Sequence, residues 1–188
     1  TVLRHVSVGD RLPDLVSQLR AASTADVVVC TGGLGPTEDD LTAEAACAAF
    51  DRQLLFDDEA MRQIESLYAR FRRVMPEVNR KQAYLPSSSQ RLDNYWGTAP
   101  GFALEHGNSW LACLPGVPRE MKAMFSHHVV PALRGRHNLV PERLVTLRTT
   151  GIGESNLQER VGAVNVPGTV VSYRTLLPEN HVRLRFDP

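Results

Sequence analysis

The run Asp26-Val27-Val28-Val29-Cys30-Thr31-Gly32-Gly33-Leu34-Gly35-Pro36-Thr37-Glu38-Asp39-Asp40-Leu41-Thr42 decides the fold. It begins with three valines and a cysteine and breaks at two glycines, which predicts a strand over 26–31 covered on both faces. A helix is predicted over 40–50, straight after the glycines. A strand, a glycine loop and a helix in that order form the repeating unit of an α/β layer.

The neighbouring segments extend the same reading. Residues 2–8 read as a strand, and 11–22 as a helix with Leu12, Leu15, Val16 and Leu19 on one face. Residues 57–71 carry the helical stripe Ala60, Met61, Ile64, Leu67, Tyr68 and Phe71. Residues 101–105 and 109–114 read as strands joined by the hairpin signal His106-Gly107-Asn108, and 117–134 as a further helix. The sum is a doubly wound α/β layer with a hairpin at one edge. Past a Gly- and Pro-bearing connector at 135–141, a strand at 143–149, a helix at 154–161 and strands at 169–174 and 181–186 make a small α+β unit. The expected domains are 1–136 and 140–188.

Composition narrows the classes. The chain has 188 residues, 43% of them hydrophobic, with 21 basic and 21 acidic side chains. No overall field draws it to nucleic acid or an anionic membrane, and no apolar run approaches the length of a membrane span. The expectation is a soluble, cytoplasmic protein. The start Thr1-Val2-Leu3 lacks an initiator Met and a signal peptide, so the chain reads as a piece of something longer. Cys30, Cys47 and Cys113 lack CxxC spacing, which argues against a zinc site or a disulfide scaffold. Arginine outnumbers lysine 19 to 2, but the arginines are scattered and read as coding bias.

The chemistry gathers in three loops. At 31–42, glycines permit close backbone approach and a helix start favours an anion, the physics of a phosphate cradle. Asp39 and Asp40 would repel a phosphate unless a divalent cation lay between; alternatively Thr37 and Asp40 cap the helix. Gly97-Thr98-Ala99-Pro100-Gly101 and Leu114-Pro115-Gly116-Val117-Pro118-Arg119-Glu120 have a similar build. Loops at the carboxyl ends of strands converge on one edge of an α/β sheet, so the loops at 32–40 and 115–120 should share a crevice. Arg80 and Lys81 either reach toward a pyrophosphate or form a solvated turn. The adjacent His127 and His128 lack metal-binding spacing, and Cys30 reads as a small buried hydrophobe.

The strings TGGLGPTEDDLT, PEVNRKQA (76–83), GTAPGF and LPGVPREM, in this order, closely resemble the amino-terminal domain of the CinA competence/damage-inducible proteins, related to the molybdopterin-binding domains of MoaB, MogA and gephyrin. Residues 143–188 resemble part of the small KH-like middle domain of those proteins. The resemblance implies a three-layer α/β sandwich with a mostly parallel sheet, a homo-oligomer, and a small phosphorylated nucleotide or pterin ligand. It implies metal-dependent hydrolysis of ADP-ribose to AMP and ribose 5-phosphate, with molybdopterin binding and adenylylation, or non-catalytic nucleotide binding, as alternatives. By position, Thr31, Gly32, Gly33 and Gly35 would hold phosphate. Asp39 and Asp40 would hold Mg, Mn or Co at the reaction centre, and Glu120 or Asp40 would position the attacking water. Thr98, Gly101, Pro115, Gly116 and Pro118 would line the facing wall. The first strand and loop of the family lack a counterpart here, and so does its carboxy-terminal nicotinamide-mononucleotide deamidase domain, so no deamidase activity is expected. The tail has no GxxG loop and a net charge of about +1, which leads to an expectation of no nucleic-acid partner.

Overall fold

The computed structural model describes residues 2–137, 143–162 and 167–186. The chain divides into two compact units, Thr1–Gly135 and Arg136–Pro188.

The first unit is an α/β sandwich. Its central sheet joins β1 (Val27–Thr31), β4 (Gln90–Leu92), β5 (Gly101–His106) and β6 (Ser109–Leu114) in the order β1-β6-β5-β4. Strand β6 is buried along its whole length. Trp110, Ala112 and Leu114 pack to one side, with Met124 and Val129; Leu111 and Cys113 pack to the other, with Phe102, Leu104 and Ala46. A strand buried on both faces needs a helix layer on each. Helices α1 (Leu12–Ala22) and α2 (Thr42–Phe50) supply one layer, and α4 (Pro118–Met124) with α5 (Val130–Arg136) the other.

Small residues set the first layer close to the sheet. Ala45, Ala46 and Ala49 of α2 are buried against Leu15, Val16 and Leu19 of α1. Arg20 donates from its guanidinium to the carbonyls of Ala48 (2.9 Å) and Ala49 (3.1 Å), meeting the negative end of α2 with a cation.

The α/β class is as expected, with three differences in detail. Residues 2–8 form no regular element: Val2 is 85% and Leu3 80% exposed, because no strand lies beside them to complete a ladder. The sheet therefore contains one parallel pair, β1–β6, beside the antiparallel pairs β5–β6 and β4–β5. The helix expected over 117–134 is interrupted by a π-turn at Phe125–Val129 and runs on to Arg136; residues 138–141 of the expected connector lie outside the described residues.

The sequence reading missed the shortest elements. Strands β2 (Leu54–Phe56) and β3 (Tyr84–Pro86) pair antiparallel, and a 3-10 turn spans Glu77–Ala83. Three-residue strands are too short to show alternation. They seat α3 (Asp58–Arg70), whose Ala60 and Ile64 pack on Ala83, Phe56 and Met75. Phe71, expected on that buried stripe, ends the helix 67% exposed.

Arg91 joins these parts, donating to Asp57 (2.6 Å) and Asp93 (2.7 Å), while Asp57 caps α3 through the Ala60 N–H (2.8 Å). Burial opposes the charge on Asp93, but hydrogen bonds from Arg91 and Gln63 and the charges of Arg91 and His128 outweigh it and hold the carboxyl below its ordinary value.

In the second unit, β7 (Arg143–Thr149), β8 (Thr169–Leu176) and β9 (Glu179–Phe186) form an antiparallel sheet in the order β7-β9-β8, accompanied by α6 (Glu154–Val161). Among the described residues of this unit, Leu157 and Val182 are the buried apolar side chains. The cross-strand register places Arg148, His181 and Arg174 in one row, with Arg183 and Arg185 on the same face. The near-neutral net charge of the tail conceals this clustering.

Two outcomes follow. A Cβ at Gly101 would lie 2.6 Å from the Cys113 carbonyl oxygen, a backbone atom that cannot step aside. Gly101→Ala should cost about 1–3 kcal/mol, read as a lower urea midpoint. A carboxyl with a depressed folded-state pKa stabilises the fold above its unfolded pKa, about 3.9. That stability is lost as pH falls through the folded value. The urea midpoint should therefore hold between pH 7 and 5 and drop below about pH 4, less steeply in Asp93→Asn.

Candidate functional site

The parallel pairing of β1 with β6 ends at Thr31 opposite Leu114, so the loops that follow the two strands leave the sheet side by side. The Gly32 N–H donates to the Leu114 carbonyl (2.9 Å), and a Cβ on Gly116 would lie 3.2 Å from the Gly32 Cα. Gly32 and Gly33 both take positive φ, +97° and +66°, where side chains are strained. This turn returns the chain to α2, where Thr42 donates from its hydroxyl to Gly32 O (2.8 Å) and from its N–H to Gly33 O (3.0 Å).

An open cavity of about 430 Å³ lies over these loops. Of the residues expected at a site, it brings together Gly33, Gly35, Asp40, Thr98, Pro115, Gly116 and Glu120. Thr31, Gly32, Asp39, Gly101 and Pro118 are not in its wall. Thr31 and Pro118 are exposed, and Gly101 is packed inside β5. Leu34, Pro36, Gln82, Ala99 and Val117, none of them expected at the site, complete the wall. Among the described residues that wall contains two carboxylates, Asp40 and Glu120, and no Lys or Arg.

The two carboxylates are held differently. The Asp40 side chain accepts from the Thr37 N–H (3.0 Å) and hydroxyl. Helix α2 begins only at Thr42, so this is a turn ahead of the helix rather than the expected cap. The Thr37 hydroxyl and Asp39's own N–H also hold the exposed Asp39 carboxyl below its ordinary range; desolvation opposes them, and the charge of Lys81 adds the least. Both acids thus serve a local turn. Among the described residues no three His, Cys, Asp or Glu side chains gather into one set, and of the two acids expected to hold a divalent cation only Asp40 lines the cavity.

Glu120 is held from the opposite wall. Asn94, buried at the end of β4, donates from Nδ2 to Glu120 Oε2 (2.8 Å) and to the Ala99 carbonyl (2.8 Å), and its Oδ1 accepts from the Trp96 N–H (3.0 Å). Gly97 makes room for the carboxylate: a Cβ there would lie 1.9 Å from Glu120 Oε2.

Lys81 donates to the carbonyls of Thr37 (2.8 Å) and Asp40 (2.7 Å) and pairs with Glu44 (3.4 Å). It fastens the acidic loop instead of standing free in solvent. Buried Gln82 donates to Leu34 O (3.3 Å) and accepts from Asn79 (2.9 Å). Arg80 lies over the Phe56 ring, 4.4 Å from its centroid. Cys30, held below its ordinary pKa by a hydrogen bond with the Cys113 thiol despite burial, is absent from the cavity wall. Gln82 ends the polar run Asn79-Arg80-Lys81-Gln82 and Asn94 follows Asp93, so no local signal set either apart from ordinary surface residues.

Residues 1–135 match the family described as "Probable molybdopterin binding domain". A CinA-like protein of Shewanella sp. (strain W3-18-1) is 39% identical over 186 residues, covering 97% of this chain and 44% of the relative. A Shewanella oneidensis protein named nicotinamide-nucleotide amidohydrolase PncC shows the same identity and coverage. The crystal structure of the protein CinA from Thermoplasma acidophilum superposes with a TM-score of 0.59 at 32% identity, over 68% of this chain and 72% of that one. The chain belongs to the CinA family, and its first 135 residues are the molybdopterin-binding-type domain of that family. That family points to a small nucleotide or pterin-like ligand. The chain spans less than half the length of these Shewanella relatives.

The PncC name corrects the expected activity. It specifies hydrolysis at a nicotinamide nucleotide, so neither ADP-ribose pyrophosphatase activity nor the exclusion of deamidase activity stands. Molybdopterin adenylylation and non-catalytic nucleotide binding fit no better. The shared loop motifs describe a binding cradle and leave the bond to be broken unspecified.

Gly33→Ala would place a Cβ 2.3 Å from Thr42 Oγ1 at a positive φ. It should cost about 1–3 kcal/mol and distort the cradle, which thermal denaturation and ligand titration would show together.

Proposed function

We propose that the chain is the nucleotide-binding part of a cytoplasmic, homo-oligomeric protein that hydrolyses the carboxamide of a nicotinamide nucleotide, with water entering and ammonia leaving. The observation that carries this reading is the relative named for that substrate, 39% identical over 97% of the chain. The cavity supports it chemically. A phosphate alone would meet two carboxylates and no cationic side chain in the wall. A nicotinamide nucleotide is a zwitterion, so its phosphate can take backbone N–H groups at Gly33, Gly35 and Gly116 while its cationic ring offsets the acids. The Thr98 hydroxyl and the Gln82 amide supply further polar contacts in the same wall. Among the described residues no helix is long and apolar enough to cross a membrane.

The test is nicotinamide mononucleotide added to the purified chain, with melting temperature and ammonia release followed together. At a concentration 100-fold above Kd the ligand should stabilise the fold by about 2.7 kcal/mol, and Glu120→Gln should weaken that shift. Ammonia release would place the chemistry in this chain, whereas stabilisation alone would make it the binding part. No shift at millimolar ligand sinks the reading.

A further inference from the structure

Asp40 and Glu120 both line the cavity, yet only Glu120 is fastened by a side chain from a distant part of the fold. Asp40 spends its carboxylate on Thr37, in the turn of its own loop. Glu120, in the first turn of α4, is held by Asn94, 26 residues away in the chain and 8% exposed.

Donors and acceptors alone fix the orientation of the Asn94 amide. The Trp96 N–H can only donate, so it claims Oδ1 (3.0 Å) and leaves both Nδ2 hydrogens for acceptors. One goes to the Ala99 carbonyl (2.8 Å) and the other to Glu120 Oε2 (2.8 Å). Position 120 must therefore offer an acceptor. Gly97 completes the seat, since a Cβ there would overlap both carboxylate oxygens.

Anchoring the loop does not account for this arrangement. Trp96 and Ala99 already tie Asn94 to its own loop. Residues 116–119 are exposed, so Glu120 could extend into water and keep its rotamer freedom. It is instead fixed with Oε2 engaged, while Oε1 has no hydrogen-bond partner among the described residues. A carboxylate oxygen held still on a cavity wall is a pre-organised acceptor for a donor on the ligand.

We propose that Asn94 is a positioning residue that holds Glu120 as the acceptor for the ribose hydroxyls of the bound nucleotide, so that the cavity selects ribonucleotides over their 2′-deoxy counterparts. This inference rests on the nicotinamide-nucleotide reading. In a nucleotide the sugar lies between the phosphate and the ring. Gly116, which that reading gives to the phosphate, lines the same cavity four residues before Glu120, so the part of the ligand next to the phosphate meets the acid first. A hydroxyl donating to a carboxylate makes a charge-assisted bond, about twice as strong as a neutral one. A 2′-deoxy sugar lacks that donor.

Calorimetric titration of the full chain with nicotinamide mononucleotide and its 2′-deoxy analogue reads the contact directly. The ribonucleotide should bind about tenfold more tightly. In Glu120→Gln the amide oxygen still accepts from Asn94, but an NH2 donor replaces the free acceptor, and the preference should fall below about threefold. Asn94→Asp keeps the acceptor for Trp96 and sets a second carboxylate against Glu120; like-charge repulsion should turn the acid away and lower the preference likewise. Circular dichroism confirms that the variants fold. Should Asn94→Asp not fold, Asn94→Ser, which removes the reach to Glu120, reads the same quantity. Equal affinity of the two nucleotides for the unsubstituted chain overturns the sugar contact while leaving the nucleotide reading standing. An undiminished preference in Glu120→Gln, with both nucleotides weakened alike, gives the acid to the ring or its carboxamide and also overturns the contact. An undiminished preference in the folded Asn94 variants shows that Asn94 serves the loop alone and overturns its positioning role. If neither nucleotide binds, the nicotinamide-nucleotide reading falls and the inference with it.

Discussion

The parallel pairing of β1 with β6 is the constraint on which the site depends. The two strands are far apart in sequence, yet their register sets Thr31 opposite Leu114, and the hydrogen bond from Gly32 to Leu114 continues the pairing into the loops. Hydrophobic burial on both faces of β6 holds the pair in register, because a one-residue slip would turn Trp110, Ala112 and Leu114 into the space filled by Leu111 and Cys113. The glycines follow from this closeness. Side chains at Gly116 or Gly33 would meet the facing backbone or Thr42.

The cavity wall is assembled from polar residues whose partners lie elsewhere in the chain. Lys81 fastens the acidic loop, Gln82 holds Leu34, and Asn94 holds Glu120. Each satisfies backbone or carboxylate groups that would otherwise be left short of partners beside a partly enclosed space. The resulting wall has acids without side-chain cations, an arrangement that suits a ligand carrying both signs of charge better than a simple anion.

The function-bearing motifs were legible because glycine, proline and adjacent acids are locally distinctive. The glycine loop after a buried valine run announced both a chain reversal and a ligand approach, and seven of the residues marked for the site do line one cavity. The second acid of the pair misled. Asp39 reads as equivalent to Asp40 in sequence, but only the latter reaches the wall. Charge was misleading in a similar way, since the balanced tail gathers Arg148, Arg174, Arg183 and Arg185 on one sheet face through alternation alone.

By itself, then, the sequence determined the α/β class, the long helices, the hairpin and the order of the loops, because periodicity and turn chemistry act over a few residues. The tertiary structure decided that residues 2–8 stay outside any sheet, that β2 and β3 pair, and that Asn94 and Lys81 hold the cavity loops. Each of these depends on a partner distant in the chain. A strand without a neighbour has no ladder, and a polar side chain finds its role only when folding brings an unpaired group within about 3 Å of it.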